Sequence, residues 1–153
     1  KRMNDMQEYV LGFAFTPPNN KGEFKVALVE KLKPDWQRGK LNGIGGKVES
    51  HETANMAMPR EFQEETGVYI PNWEYVGKMS GDKSWTVYVY TTTHPYVEKV
   101  TTKEQERILL VDPIKDAGYI YEKGISNVPW LIHSCLDVDY LTGRCFLDVR
   151  YGG

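Results

Sequence analysis

Glu61, Glu64 and Glu65 stand at i, i+3 and i+4, and on a helix spanning Thr53 to Thr66 these offsets put three acidic side chains on one face. Like charges so placed repel, and the helix gives up stability unless something positive neutralises them. A hard divalent cation does that well. Mg²⁺ or Mn²⁺ prefers carboxylate and carbonyl oxygens, keeps several waters, and commonly bridges protein carboxylates to substrate phosphates.

The order G-x5-E-x7-R-E-U-x-E-E-x-G-U, with U a bulky apolar residue, has nine prescribed places. Gly46, Glu52, Arg60, Glu61, Phe62, Glu64, Glu65, Gly67 and Val68 fill them all. A lone Glu-Glu pair would mean little, but this many positions in one contiguous stretch are specific. On these residues the chain resembles the Nudix hydrolases, firmly over residues 46 to 68 and more loosely on either side. Gly39 to Lys47 and Asn127 to Ile132 also resemble segments of MutT-like members and of the oxidised-purine nucleotide hydrolases. The resemblance implies an α/β chain folded as an α/β/α sandwich, a central mixed sheet with flanking helices.

Glu64 and Glu65 are the leading metal ligands, with Glu61 beside them and a backbone carbonyl near Gly45 or Gly46 completing the protein's share of the shell. Cations so held would neutralise a diphosphate, polarise phosphorus and lower the pKa of a bound water, so hydrolysis of a P–O–P link follows. Such chemistry asks mostly for positioning and charge stabilisation, and no Ser or Cys nucleophile is needed. Glu52 is expected just ahead of the helix, where it can accept orphan amide protons and pair with Arg60 to brace the loop. Gly67 suits a helix stop at positive φ. For the general base the resemblance implies a carboxylate of the helix or one from a later loop. Glu104 and Glu106 are the later candidates, and each could equally be a solvated loop residue. Pro59 lacks an N–H and clashes with the carbonyl of Asn55, so the helix is expected to kink there, loosening Glu52 from Arg60, or to start late.

Substrate choice lies outside this segment. The resemblance implies a base pocket using an asparagine four residues before Gly46 and an aromatic residue ahead of it, places held here by Asn42 and Trp36. An asparagine offers a donor and an acceptor to a purine edge, and an indole can stack on the ring. Asn127 is a second candidate for reading the base, and Lys40 and Lys47 for contacting phosphate. Plainer roles fit the same residues: a turn before Gly43, a loop anchor, a helix cap, solvated lysines. The marks that the resemblance associates with ADP-ribose and NADH-type hydrolases are missing, which favours a nucleoside triphosphate, an oxidised purine (d)NTP being one candidate, cleaved to monophosphate and pyrophosphate. A dinucleotide or nucleotide-sugar hydrolase and a non-catalytic nucleotide-sensing module stay open.

The elements that must hold these residues are legible in the pattern. Tyr9 to Thr16 and Phe24 to Leu32 read as a β-hairpin, and Lys33 to Gly43 as a polar, turn-rich stretch ending in a glycine cluster fit for bends or close approach to a ligand. Trp73 to Met79, Ser84 to Thr92 and Arg107 to Val111 read as strands, with His94 to Glu106 a loop; Val128 to Val138 is the second helix and Cys145 to Val149 a terminal strand. One domain, residues 1 to 153, is the natural reading of this length. A net charge of −2 and pI near 6.0 argue for a small-molecule nucleoside di- or triphosphate partner, against a nucleic-acid polymer or a membrane, and leave a homo-oligomer open. Cys135 and Cys145 read as thiols in a reducing cytoplasm, and Lys1 to Met3 as a short remnant ahead of a native start.

Overall fold

The apolar run at the start of the chain becomes β1, Gln7–Phe15, a strand buried on both faces. Leu11, Phe13 and Phe15 enter one core cluster while Val10 and Ala14 enter another, so its alternation serves two layers at once. The same division continues in β2, Val26–Glu30, whose Val26 and Leu28 face the first cluster and whose Ala27 and Val29 face the second. The computed structural model describes residues 6–138 and 146–152.

β1 and β2 are antiparallel neighbours as expected, but their register covers only Ala14 with Ala27 and Phe15 with Val26. Beyond that the strands part, and the glycine cluster enters the gap. β3, Leu41–Asn42, pairs with β2, and after Gly43 the chain crosses over so that β4, Ile44–Lys47, pairs with β1 from Gly12 to Tyr9. The glycine cluster itself therefore lies in sheet, after a stretch from Lys33 to Lys40 that is turns as expected, and at Gly43 and Gly45 the close approach is to neighbouring backbone. A Cβ on Gly43 would stand 2.8 Å from the Gly12 carbonyl oxygen, and one on Gly45 would overlap the Val10 carbonyl.

The remaining strands are β5, Glu74–Gly81; β6, Trp85–Thr93; β7, Arg107–Val111; and β8, Leu147–Tyr151. β6 runs parallel to β1, β5 antiparallel to β6, β7 antiparallel to β2, and β8 parallel to β5, making one mixed sheet of eight strands. The terminal strand starts later than expected, at Leu147; Cys145 lies outside the described residues.

Helix α1, Ala54–Thr66, packs Ala57, Met58 and Phe62 onto the second cluster. On the opposite face lie α2, Ala117–Lys123, and α3, Val128–Val138, contributing Ile120, Val128, Leu131, Ile132 and Cys135 to the first cluster. Helices thus cover both faces, the expected α/β/α sandwich. One helix, α2, was not anticipated: Ile120 is its buried residue, and a seven-residue segment with one inward side chain shows no apolar stripe. No helix among the described residues is long and apolar enough to cross a membrane.

Candidate metal and phosphate site

Thr53 caps α1 by accepting the Met56 N–H at 3.3 Å, and Gly67 ends the helix at φ 79°, the left-handed stop its position suggested. Pro59 sits inside the helix, which does not start late, and Glu52 keeps its hold on Arg60. The proline is buried. Pro59→Ala should still raise the melting temperature, because it restores an amide donor for the Asn55 carbonyl and helix-interior proline costs on the order of 3 kcal/mol relative to alanine. Thermal unfolding checks this; a drop would mean that packing of the buried ring outweighs the missing hydrogen bond.

With its apolar side fixed by Phe62, whose ring meets Trp73 edge-on at 5.1 Å, α1 carries Arg60, Glu61, Glu64 and Glu65 on its other flank. Arg60 is the hub. Its Nε donates to both Glu52 oxygens at 3.0 and 3.2 Å, and Nη2 donates to Glu52 Oε1 as well and to the Lys47 carbonyl at 3.0 Å. Nη1 reaches Glu61 Oε2 at 3.3 Å and Glu64 Oε2 at 3.2 Å. The Glu52 side chain is 4% exposed, and hydrogen bonding to the guanidinium, outweighing burial, holds its carboxyl below the ordinary range. Glu52 does not accept from the helix amides: its Oε1 takes the Glu49 N–H at 2.9 Å, and Thr53 supplies the cap.

Glu61 lies against Gly46, so closely that a Cβ there would overlap its carboxyl group. Of the two glycines singled out from the sequence, Gly46 adjoins the carboxylates, and Gly45 adjoins the Val10 carbonyl. Their alanine variants should therefore fail differently. Gly45→Ala must displace backbone and is expected to lower the melting temperature, whereas Gly46→Ala can be absorbed by swinging Glu61 away with the fold retained, and if Glu61 helps to hold a cation this weakens Mn²⁺ binding by about 10- to 100-fold. Paired calorimetry and thermal unfolding measure this, and equal loss of stability in both would contradict it.

Burial pushes the Glu61 carboxyl upward against the pull of Arg60. Glu65 is pushed up to about 7, by burial first and then by Glu61, with Lys31 opposing and Glu106 and Glu104 adding to the rise. Lys31, just beyond β2, is a neighbour of these carboxylates that no sequence spacing marks; its Nζ donates to Glu106 at 2.9 Å.

The structure brings both later-loop acids within electrostatic reach of Glu65 but places them differently. Glu106 Oε1 accepts from Lys31, and Oε2 accepts from the amides of Leu32 at 2.7 Å and Lys33 at 3.4 Å. Burial works against its charge, yet these donors outweigh it and keep the carboxyl low. Glu104 is exposed, and among the described residues no hydrogen bond holds its carboxylate. Asn42 Oδ1 accepts the Gly43 N–H at 2.8 Å, and Trp36 is 65% exposed on a 3-10 turn, Asp35–Gln37. Asn127 donates to Met79 Sδ at 3.6 Å and to the Tyr151 hydroxyl at 3.4 Å. The segments bearing Asn42 and Asn127 adjoin, because the Leu41 carbonyl accepts the Ile125 N–H at 2.9 Å. Lys40 and Lys47 are exposed.

Among the described residues no three His, Cys, Asp or Glu side chains converge closely enough to enclose an ion. The donor chemistry nevertheless fits one: oxygen donors only, two of them disfavoured as anions, beside a glycine that leaves Glu61 its space. Grooves of about 570 and 420 Å³ elsewhere on the surface contain none of these carboxylates.

The family model described as NUDIX domain matches residues 9–118. The chain belongs to the NUDIX family. The Nudix segment read from the sequence, residues 46 to 68, lies inside that match. Comparison with curated proteins returned no match. Among solved structures, the NUDIX domain of Shewanella oneidensis NrtR complexed with ADP ribose aligns with TM-score 0.71 and 16% identity over 86% of this chain and 87% of that one. MutT studied from Aliivibrio salmonicida and Vibrio cholerae aligns with TM-score 0.61 and 20% identity over 85% and 96%. S. oneidensis NrtR complexed with a 27mer DNA aligns at TM-score 0.65 and 16% identity over 84% and 60%. At these identities the structural likenesses establish the shared Nudix fold.

Proposed function

We propose that this Nudix domain is a divalent-metal-dependent hydrolase that cleaves a nucleoside triphosphate, an oxidised purine (d)NTP among its candidates, to monophosphate and pyrophosphate. The observation that supports this reading is that Glu61, seated on Gly46, shares Arg60 Nη1 with Glu64 on the flank of α1 that also carries Glu65. Glu64 and Glu65, with Glu61, would hold Mg²⁺ or Mn²⁺, and the Gly46 backbone stands next to Glu61. When bound, the cation supplies charge neutralisation of the polyphosphate and a lowered pKa for water.

The chain's own residues supply the rest. Arg60 and Glu52 lock the helix to the strand that carries Gly46, through the Lys47 carbonyl. With Glu65 given to the cation, Glu104 is the carboxylate left to take the proton of the attacking water, since both oxygens of Glu106 are committed. Glu104→Gln should lower kcat by about 10²-fold or more with unchanged Mn²⁺ affinity, while Glu106→Gln should chiefly lower the melting temperature. Full turnover in Glu104→Gln would remove it from the mechanism. Lys31, Lys40 and Lys47 are proposed to contact phosphate, and Asn42, Asn127 and Trp36 to read the base.

A second reading has one supporting observation, the NrtR domain seen with ADP ribose: the ligand would be an ADP-ribose-type diphosphate, turned over or only sensed. A sensor has no need of three repelling glutamates on one face, which favours turnover. The low net charge favours a small nucleotide over a polymer, and a reducing cytoplasm as its setting remains part of the proposal. A panel of (d)NTPs, oxidised dGTP, ADP-ribose and diadenosine polyphosphates, assayed with Mg²⁺ and Mn²⁺, tests both. Binding without turnover across the panel would favour the sensor.

A further inference from the structure

The two ends of Arg60 are held unequally. Nε and Nη2 are fixed by Glu52, whose side chain is 4% exposed, and by the Lys47 carbonyl at 3.0 Å. Nη1 makes one contact to each of two carboxylates, 3.3 Å to Glu61 and 3.2 Å to Glu64, and of these the Glu64 side chain is 50% exposed. A single positive group therefore already stands between two of the carboxylates that the proposed function gives to a cation. Its anchored end cannot leave without stranding a buried Glu52, while at its Nη1 end the contact to the half-exposed Glu64 is one that water can replace.

We propose that Arg60 is a built-in counter-ion of this face, displaced from Glu61 and Glu64 when a divalent cation enters and held in reserve by Glu52, so that the Glu52–Arg60 pair sets metal affinity. The inference rests on the metal-site reading above. It differs from a simple brace in the sign of its consequences. A guanidinium a few ångströms from the incoming cation repels it, so removing the positive group strengthens metal binding if the glutamates keep their places. Loosening its anchor does the opposite, because the whole guanidinium is then free to settle on Glu61 and Glu64.

Mn²⁺ binding to the full chain, measured by calorimetry without nucleotide, separates these cases. The charge-balanced double variant Arg60→Gln/Glu52→Gln strands no charge at position 52 and frees Glu61 and Glu64 of their guanidinium, and it is expected to bind Mn²⁺ roughly 3- to 10-fold tighter than the parent. Glu52→Gln alone is expected to bind it weaker by a similar factor. A brace and nothing more would weaken binding in both, and that result overturns the proposal. Should the double variant fail to fold, the unmodified chain decides: the Arg60 side-chain ¹⁵N–¹H signals should shift and exchange faster with water as Mg²⁺ saturates. Signals unchanged at saturation would overturn the counter-ion role while leaving the metal site intact, whereas a parent chain that binds no Mn²⁺ at all would overturn the metal-site reading and this inference together.

Discussion

Glu65→Gln and Glu64→Gln are each expected to lower kcat on the best substrate of the panel by at least about 100-fold, the scale seen when a positioned electrostatic group is removed from a reacting centre. Both side chains lie on the flank of α1 away from Ala57, Met58 and Phe62, so the fold should survive the change. In Glu65→Gln the metal-free protein should even gain stability near neutral pH, since a partly buried anion raised by Glu61, Glu104 and Glu106 is replaced by a neutral amide. Loss of activity with retained or improved stability is a combination that a merely structural residue does not give. Full turnover in both variants would show that the chemistry is elsewhere.

The second large effect is a stability that declines as pH rises. Glu65 has an ordinary value of 4.5 and is held at about 7 in the folded chain. Between those values the folded state keeps a proton that the unfolded state has lost, so stability is highest at the acid end of the window and falls as pH rises through it. At about 1.4 kcal/mol per pH unit this amounts to roughly 3 kcal/mol, with Glu61 acting in the same direction. Glu52 and Glu106 are held low, so what they contribute is present above their ordinary value and is lost as pH falls below it. In chelator the melting temperature should therefore peak near pH 5 and decline toward pH 7.5. Mg²⁺ should restore most at the upper end, where Glu65 is ready to ionise. Scanning calorimetry from pH 4.5 to 7.5, with and without Mg²⁺, reads this directly. The decline should flatten in Glu65→Gln, and a metal-free profile that rises through the window would contradict the account.

What could be read from the sequence follows from which constraints are local. The helix bearing the carboxylates was legible because its acidic offsets, its Thr53 start and its Gly67 stop all depend on neighbours within a turn or two. β1, β2, β5, β6 and β7 announced themselves through apolar and β-branched runs. The crossing of β3 into β4 did not, because Gly43, Gly45 and Gly46 are small for the sake of Gly12, Val10 and Glu61, which are remote in sequence. The same applies to Glu106, whose partners at Lys31 to Lys33 lie more than seventy residues away. Read locally it was one more polar loop residue. The contact between Arg60 and Glu52 was foreseen because eight residues and a fixed motif separate them, but the reach of Arg60 to Glu61 and Glu64 depends on how the guanidinium turns.

The central claim is that Glu61, Glu64 and Glu65 grip a divalent cation against a polyphosphate. Crystals soaked with Mn²⁺ and a non-hydrolysable nucleoside triphosphate analogue test it most directly through anomalous scattering at the manganese edge. Peaks are expected in contact with these carboxylates and with a phosphate oxygen of the analogue. Peaks confined to other parts of the surface, or bound analogue with no manganese beside α1, would contradict it.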